Sequence, residues 1–516
     1  MGTESLLLSS VTKRPSGYLS DSLAGGRTLE LAQHKGGHTT INPNNVCIHP
    51  GVDSDALTVG WEGEDDRENP MNWSERRKWC MIAIVSMVTF VTPLASSIFA
   101  PAVPLLMAEF KSTNTELAAF VVSIYVLGFA VGPLLIAPMS EMYGRLILYH
   151  TCNILFVFFT AACALSPNLN TLIGFRFIAG CAGSAPLTLG GGSIADMVAQ
   201  DRRGVAMTIF AMGPLLGPVV GPVAGGYLSE AKGWRWIFWL LTMLGGAITI
   251  SAFLIMRETY APTILERRTK RLQQETGNVH LHSKLNSNLT PRQLFACSII
   301  RPLKMLFLSP IVLALSIFMA LGYGYLYLLF TTFTSVFEEQ YGFNSGTVGL
   351  TYLGVGIGSM VGMAGVGIVS DTILKQKSGT GELKPEYRLL PMIYMSPLMC
   401  IGLFWYGWSA SEKTFWLVPI IGTAVFGAGL FAAMSCITTY MVDAFTMYAA
   451  SALAANTVLR SIFGAVLPLV GQKMYDSLGL AWGNSLLAFV ALAMCPIPLI
   501  FYRHGEMIRM RWSPKL

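Results

Sequence analysis

The sequence predicts an all-α membrane protein whose twelve transmembrane helices form two pseudo-symmetric six-helix bundles. Three observations predict it. Of 516 residues, 53% are hydrophobic and only 12% charged, whereas a soluble chain is about a quarter charged. The apolar residues gather in twelve runs long enough to cross a bilayer as helices, at about 79–100, 116–139, 146–165, 171–195, 205–228, 236–256, 309–333, 347–370, 389–408, 415–440, 448–471 and 481–502. A polar connection from Arg257 to about Met305 divides these runs six and six, and short motifs recur at corresponding places in the two sets.

Residues 1–78 are polar and lack apolar periodicity, which reads as a disordered cytosolic tail. At its end Ser74 can cap a short helix, and Arg76, Arg77 and Lys78 beside Trp73 and Trp79 suit the inner membrane interface. The rest divides into a first bundle (79–256), a cytosolic central loop (257–308), a second bundle (309–503) and a cytosolic C-terminal tail (504–516). No charged n-region leads into an h-region, so no cleaved signal peptide is expected. With the tail inside, 28 of the 35 Lys and Arg fall on the cytosolic side and 5 outside, leaving Arg176 and Arg460 within spans. The positive-inside rule therefore places both termini in the cytosol. Topology accounts for the net charge of +6, so no nucleic-acid partner is implied. The nine cysteines are scattered, without a C-x-x-C, and read as small apolar residues rather than disulfides or a metal site. The sequons at Asn72 and Asn288 lie on the cytosolic side and should stay unmodified.

The fifth run carries Gly213-Pro214, Gly217-Pro218, Gly221-Pro222 and Gly225-Gly226. Glycine or proline on every fourth residue leaves one helical face almost bare, so a neighbouring backbone can approach closely. The prolines remove backbone donors and bend the helix. This stretch reads as a bent helix on which two moving halves are articulated. A second pattern repeats: Ala137-Pro-Met-Ser-Glu141-Met-Tyr-Gly144-Arg145 after the second run, and Gly367-Ile-Val-Ser-Asp371-Thr-Ile-Leu-Lys375 after the eighth. Both read small-x-x-x-acid-x-x-x-base, and the fourth and tenth runs both end in acids, Asp196 and Asp443. Such duplication points to a transporter rather than a channel or receptor. No nucleotide-binding loop and no nucleophile–base constellation is visible, so neither ATP hydrolysis nor an enzyme is expected.

From these motifs the chain resembles the major facilitator superfamily, and within it the fungal drug:proton antiporters with twelve spans. Glu141, Gly144 and Arg145 match the loop signature between spans two and three, Arg176-Phe-Ile-Ala-Gly180 the span-four signature, and the Gly-Pro run the antiporter signature of span five. Gly233-Trp-Arg-Trp-Ile-Phe-Trp239, Glu258-Thr-Tyr-Ala-Pro262 and Ala454-Ala-Asn-Thr-Val-Leu-Arg460 look typical of the fungal branch. Ala137 and Leu146 depart from the loop signature, and the sugar-porter ending of span six is replaced by Arg257-Glu258-Thr259. The resemblance implies the major facilitator fold and export of small amphipathic compounds (drugs, fungal secondary metabolites or toxins) by proton antiport with alternating access. Uptake of an organic acid or other nutrient by proton symport, or polyamine export, is the alternative. The partners expected are a small-molecule substrate, protons and the lipid bilayer, with no cofactor and a monomeric chain. The location expected is the plasma membrane, with the vacuole as alternative.

Among the residues suited to coupling and gating, Arg176 sits inside span four, where a charge is costly and normally faces the bundle interior. The resemblance favours a coupling role for it over a plain interhelical clamp. Glu141 and Arg145 are four apart and share a face if their turn is helical. The family analogy adds Asp196 as the partner of Arg145, with Asp371, Lys375 and Asp443 as C-half counterparts. Such pairs across the cytosolic ends would hold the outward-facing state. No carboxylate lies mid-span, so the proton carriers to consider are Glu141, Asp196, Asp443 and His150. Tyr323, Tyr327 and Phe330 of span seven, with Thr92, Ser96, Ser97 and Tyr125, would line an aromatic, sparsely polar cavity. Each tyrosine reads equally as helix packing, and Arg460 beside Asn456 reads equally as a cavity residue or a brace.

Overall fold

The computed structural model describes residues 57–63, 65–199, 202–285, 291–378, 384–445 and 448–512, with some side chains within 291–297 and 370–378 left aside. The first half comprises α1 (Glu75–Ser97), a short α2 (Val103–Glu109), α3 (Thr115–Tyr143), α4 (Arg145–Ala164), α5 (Leu169–Gly183), α6 (Ala185–Met197), α7 (Arg203–Lys232) and α8 (Arg235–Ile255). Two helices follow in the connection, α9 (Ala261–Thr276) and α10 (Pro291–Leu308). The second half comprises α11 (Pro310–Tyr341), α12 (Ser345–Ser378), α13 (Leu390–Ser411), α14 (Leu417–Ala444), α15 (Ala449–Met494) and α16 (Pro496–Arg511).

Eleven helical stretches among the described residues are long and apolar enough to cross a membrane. The last, Ala449–Arg511, spans 63 residues and is two spans in one, because Gly479 (φ 75°, ψ 165°) breaks α15 internally. That conformation is open essentially to glycine alone. Twelve spans result, as expected from the sequence; α5 and α6 together make the fourth. We call the end where the chain enters α1 and leaves α16 the proximal end, and the opposite end distal.

Within the first half α1 packs on α7, α3 on α5 and α4 on α8; within the second, α11 packs on α15, and α14 on α12 and α13. The halves meet along two crossings, α7 with α12 and α3 with α15. These join span five to span eight and span two to span eleven, the relation expected of two-fold pseudo-symmetry. With lipid tails as apolar as leucine, close approach of small residues rather than the hydrophobic effect holds such helices together.

Of residues 57–74, which composition assigns to a disordered tail, those the structure describes (57–63 and 65–74) take defined places. Thr58–Val59 pairs in parallel with His282–Ser283 of the connection, and Arg268 of α9 forms ion pairs with Glu62, Asp66 (2.7 Å) and Glu68 (3.6 Å). The segment lacks apolar periodicity because charge on a distant helix holds most of it, with only Val59, Pro70 and Trp73 buried.

Candidate functional site

A layer of aromatic and polar side chains lies where the halves meet. Along α11, Tyr323 and Tyr327 lie 5.1 Å apart and Tyr327 and Phe330 5.6 Å, centroid to centroid. The i, i+4 and i+3 spacings put them on one helical face. Tyr327 Oη and Ser96 Oγ of α1 hydrogen-bond at 2.9 Å, a tie across the halves. Tyr352 of α12 donates to the Phe330 carbonyl at 2.7 Å and closes the row. Arg460 lies over the Tyr323 ring at 5.1 Å. On the other side Arg176 is 1% exposed and stacked against Phe99 (5.1 Å), Tyr125 (5.4 Å) and Phe238 (5.7 Å). Its Nε and Nη2, the Tyr125 hydroxyl, Asn456 Oδ1 and Arg460 Nε have no hydrogen-bond partner among the described residues. The residues are nearly in contact, and the voids beside them, one near Thr92 and Gly183 and one between α7 and Phe330, have room for about one water each.

Ser97 does not join this layer. Its hydroxyl donates to the Pro93 carbonyl at 3.3 Å and sits where a Cβ on Gly221 would be, so it faces α7. Ser96 and Ser97 are both expected from the sequence to line the cavity, but successive residues of a helix point about 100° apart. Phe99, Phe238 and Tyr352 belong to the layer and were not foreseen; as single aromatics in apolar runs they carry no signal of their own.

The Gly-Pro run forms one continuous helix, α7, whose prolines lie inside it. A Cβ on Gly213 would lie 3.0 Å from Phe90 N and one on Gly217 2.7 Å from Leu94 N, while Gly225 would meet the Ile98 carbonyl. The glycine stripe therefore lies against the backbone of α1. On the other side Val219 meets Gly356, and the Pro222 carbonyl meets Gly349, both on α12 of the second half.

At the proximal end the expected charged residues regroup. Gly144 (φ 93°, ψ 163°) ends α3, and Arg145 begins a new helix. Glu141 and Arg145 thus leave the shared face that an unbroken helix would give them, and no direct ion pair joins them among the described residues. Arg145 Nε instead meets Asp196 Oδ2 at 2.7 Å, and the Glu258 carboxylate accepts from the backbone amides of Arg145 (3.0 Å) and Leu146 (3.2 Å). A carboxylate on the free N–H groups of a helix start is favoured by those donors and by the helix dipole. In the second half Arg388 Nε meets Asp443 Oδ2 at 2.9 Å, Lys384 pairs with Glu506 and Arg509 with Glu386 at 3.3 Å. Each Arg–Asp pair lies within one half, not across the proximal ends as expected. Spans three and four, like nine and ten, are near neighbours whose facing ends meet first. The side chains of Asp371 and Lys375 lie outside the described residues. His150 stacks on Phe253 at 4.0 Å, an intrahalf packing contact.

Besides the Ser96–Tyr327 bond, the polar ties between the halves among the described residues sit at the distal end. Glu230 accepts from Asn344 Nδ2 (2.9 Å) and the Gly346 amide (3.2 Å), Lys473 pairs with Glu116, and Thr334 donates to the Ala100 carbonyl at 3.4 Å.

The chain matches the family model of the Major Facilitator Superfamily over residues 85–468. It is 57% identical over 462 residues to the MFS-type transporter penM of Penicillium rubens, covering 89% of this chain and 91% of that one. It is 49% identical over 478 residues to the efflux pump radE of Floropilus chiversii, covering 92% and 89%. In fold it matches the xylose transporter XylE from E. coli, solved in a partially occluded inward-open conformation, with a TM-score of 0.60 at 14% identity over 83% of this chain and 98% of that one. The chain belongs to the Major Facilitator Superfamily and is a multi-pass membrane transporter, not an enzyme.

Proposed function

We propose that the chain exports small amphipathic compounds (drugs, fungal secondary metabolites or toxins) by proton antiport with alternating access. It works as a monomer in the plasma membrane, with both termini cytosolic. The observation that carries this reading is the seating of α7. Its glycine stripe fixes it to α1, and its other face meets small residues of α12 in the opposite half. A seam of small residues offers few interlocking side chains to unpick, so one half can tilt on the other. Export, rather than uptake, is supported by the relative named an efflux pump.

In this reading the distal ties at Glu230 and Lys473 hold the inward-facing arrangement, and Gly144, Arg145, Asp196, Asp371 and Asp443 keep the cytosolic end of each half stiff while it rocks. Arg176 couples the substrate site to proton movement, with Glu141 and Asp196 as the acids that titrate. Tyr327, Phe330, Tyr323, Tyr125, Ser96, Asn456 and Arg460 bound the substrate. The test is accumulation of a labelled compound panel in yeast lacking its own pumps, with and without a protonophore. Lower accumulation that the protonophore abolishes is expected. Accumulation above the control would overturn export in favour of symport.

A further inference from the structure

We infer that the exported compound carries an acidic group, a carboxylate or enolate, that docks on the Nε/Nη2 edge of Arg176, with Arg460 as the second positive contact across the aromatic row. This substrate class rests on the export reading above and narrows it.

Arg176 is 1% exposed and ringed by Phe99, Tyr125 and Phe238. Stacking satisfies the faces of a guanidinium, but its N–H donors point outward in its plane. Two of them, Nε and Nη2, lie side by side on one edge and are unpaired. That edge is the fork that takes the two oxygens of a carboxylate. The Tyr125 hydroxyl, also unpaired, is a further donor nearby, and Tyr327 lies within electrostatic range of the same guanidinium.

Among the described residues no acid neutralises this charge from within the membrane. No Asp or Glu lies in the middle of any span, and the buried acids Glu258 and Glu386 are engaged at the proximal end. Arg460, half-buried and with Nε also unpaired, adds a second positive charge at the other end of the Tyr323–Tyr327 row. An unpaired charge in a low-dielectric interior is costly unless something pairs with it during the working cycle. The aromatic row supplies the surface for an apolar body and the two arginines supply the sites for its acid. A cationic substrate would meet only like charge.

The test uses the full-length chain in pump-deficient yeast and three labelled carboxylic acids with naphthyl, indolyl and decalin bodies, each beside its methyl ester and a matched primary amine. The expected result is export of acids in preference to their esters and amines. Arg176→Gln and Arg460→Gln should each reduce the acid-to-ester ratio about 10-fold at equal surface abundance, with Arg176→Lys falling between. The ratio separates recognition from a bracing role, which would lower both compounds alike and overturn the site. Arg176→Lys and Arg460→Gln decide the matter if Arg176→Gln fails to reach the membrane. Esters or amines exported as well as acids would overturn the substrate class and leave export standing. Acids accumulating above the control would overturn export itself.

Discussion

The proximal ends of the two halves carry the same ion pair in different settings. In the first half the Arg145 and Asp196 side chains are 16% and 21% exposed, α3 stops at Gly144, and Glu258 accepts four backbone amides, those of Arg145, Leu146, Thr259 and Tyr260. In the second half Arg388 and Asp443 are 25% and 40% exposed, α12 runs unbroken through the corresponding position to Ser378, and Glu506 meets a half-exposed Lys384. Screening by water leaves such exposed pairs worth roughly 0–1 kcal/mol, whereas a largely buried, multiply bonded carboxylate is worth more. The difference teaches that duplication preserves which helix ends are tied and not how tightly. The first half locks its Arg–Asp pair into a closed corner, whereas the second leaves its pair more exposed and buries its acid, Glu386, against Arg509 instead.

The largest expected effect tests the corner itself. A Cβ at Gly144 would require a positive φ and would lie 2.9 Å from Glu258 Cδ, so Gly144→Ala should cost at least about 3 kcal/mol, combining strain and loss of the Glu258 seat. Gly367, which stands in the sequence repeat where the first half has Ala137, is helical with open space around the site of a Cβ. Gly367→Ala should be neutral or stabilising by up to about 1 kcal/mol. Thermal unfolding of the detergent-solubilised variants reads both, and equal losses would erase the distinction between the corners.

Next come the aspartates. Asp196→Asn should destabilise by about 2 kcal/mol and slow transport more than 10-fold, since it leaves Arg145 with a neutral partner in a largely closed site. Asp443→Asn should cost no more than about 0.5 kcal/mol and less than twofold in rate. A larger effect at Asp443 would reverse the ranking. Glu258→Gln should cost about 1.5 kcal/mol, because an amide presents N–H groups to backbone donors, whereas Glu506→Gln, at a solvent-screened pair, should leave the unfolding temperature unchanged.

Much of this was legible in the sequence, and what was not shares a cause. Apolar length predicted the spans, and the four-residue period of Gly213, Gly217, Gly221 and Gly225 predicted a close-packed face, because both are local. The Tyr323–Tyr327–Phe330 row followed from helical spacing. The Arg388–Asp443 pair and the seat of Glu258 on the α4 amides join residues 55 and 113 positions apart, and no local pattern reports them. The small-x-x-x-acid-x-x-x-base repeat misled in detail: it aligned Gly144-Arg145 with a stretch that stays helical, while the structural counterpart of Arg145 is Arg388, at the start of the next span.

The smallest effect concerns what further thickens the first corner, the strap of residues 57–74 held to α9, which follows directly from the Tyr260 ring under Arg145 (5.3 Å). Burial alone would raise the Asp66 carboxyl, but the amides of Glu62 and Glu68 and the Arg268 guanidinium outweigh it and hold it below its usual value of 3.8. A carboxyl depressed in the docked state favours docking above its free pKa, and that contribution is lost as pH falls through the lower, docked value. Docking should therefore be constant around neutrality and weaken only below about pH 4. Asp66→Asn imitates the acid state at pH 7, and hydrogen exchange of the Glu62 and Glu68 amides, both bonded to Asp66 at 2.9 Å, should quicken about 10-fold. Transport should change less than twofold, because the strap grips the connection and not the seam between the halves. Unchanged exchange in Asp66→Asn would mean that the Thr58–Val59 strand pairing and the ion pairs of Glu62 and Glu68 hold the strap without Asp66. The extra stiffness of the first corner would then end at Glu258.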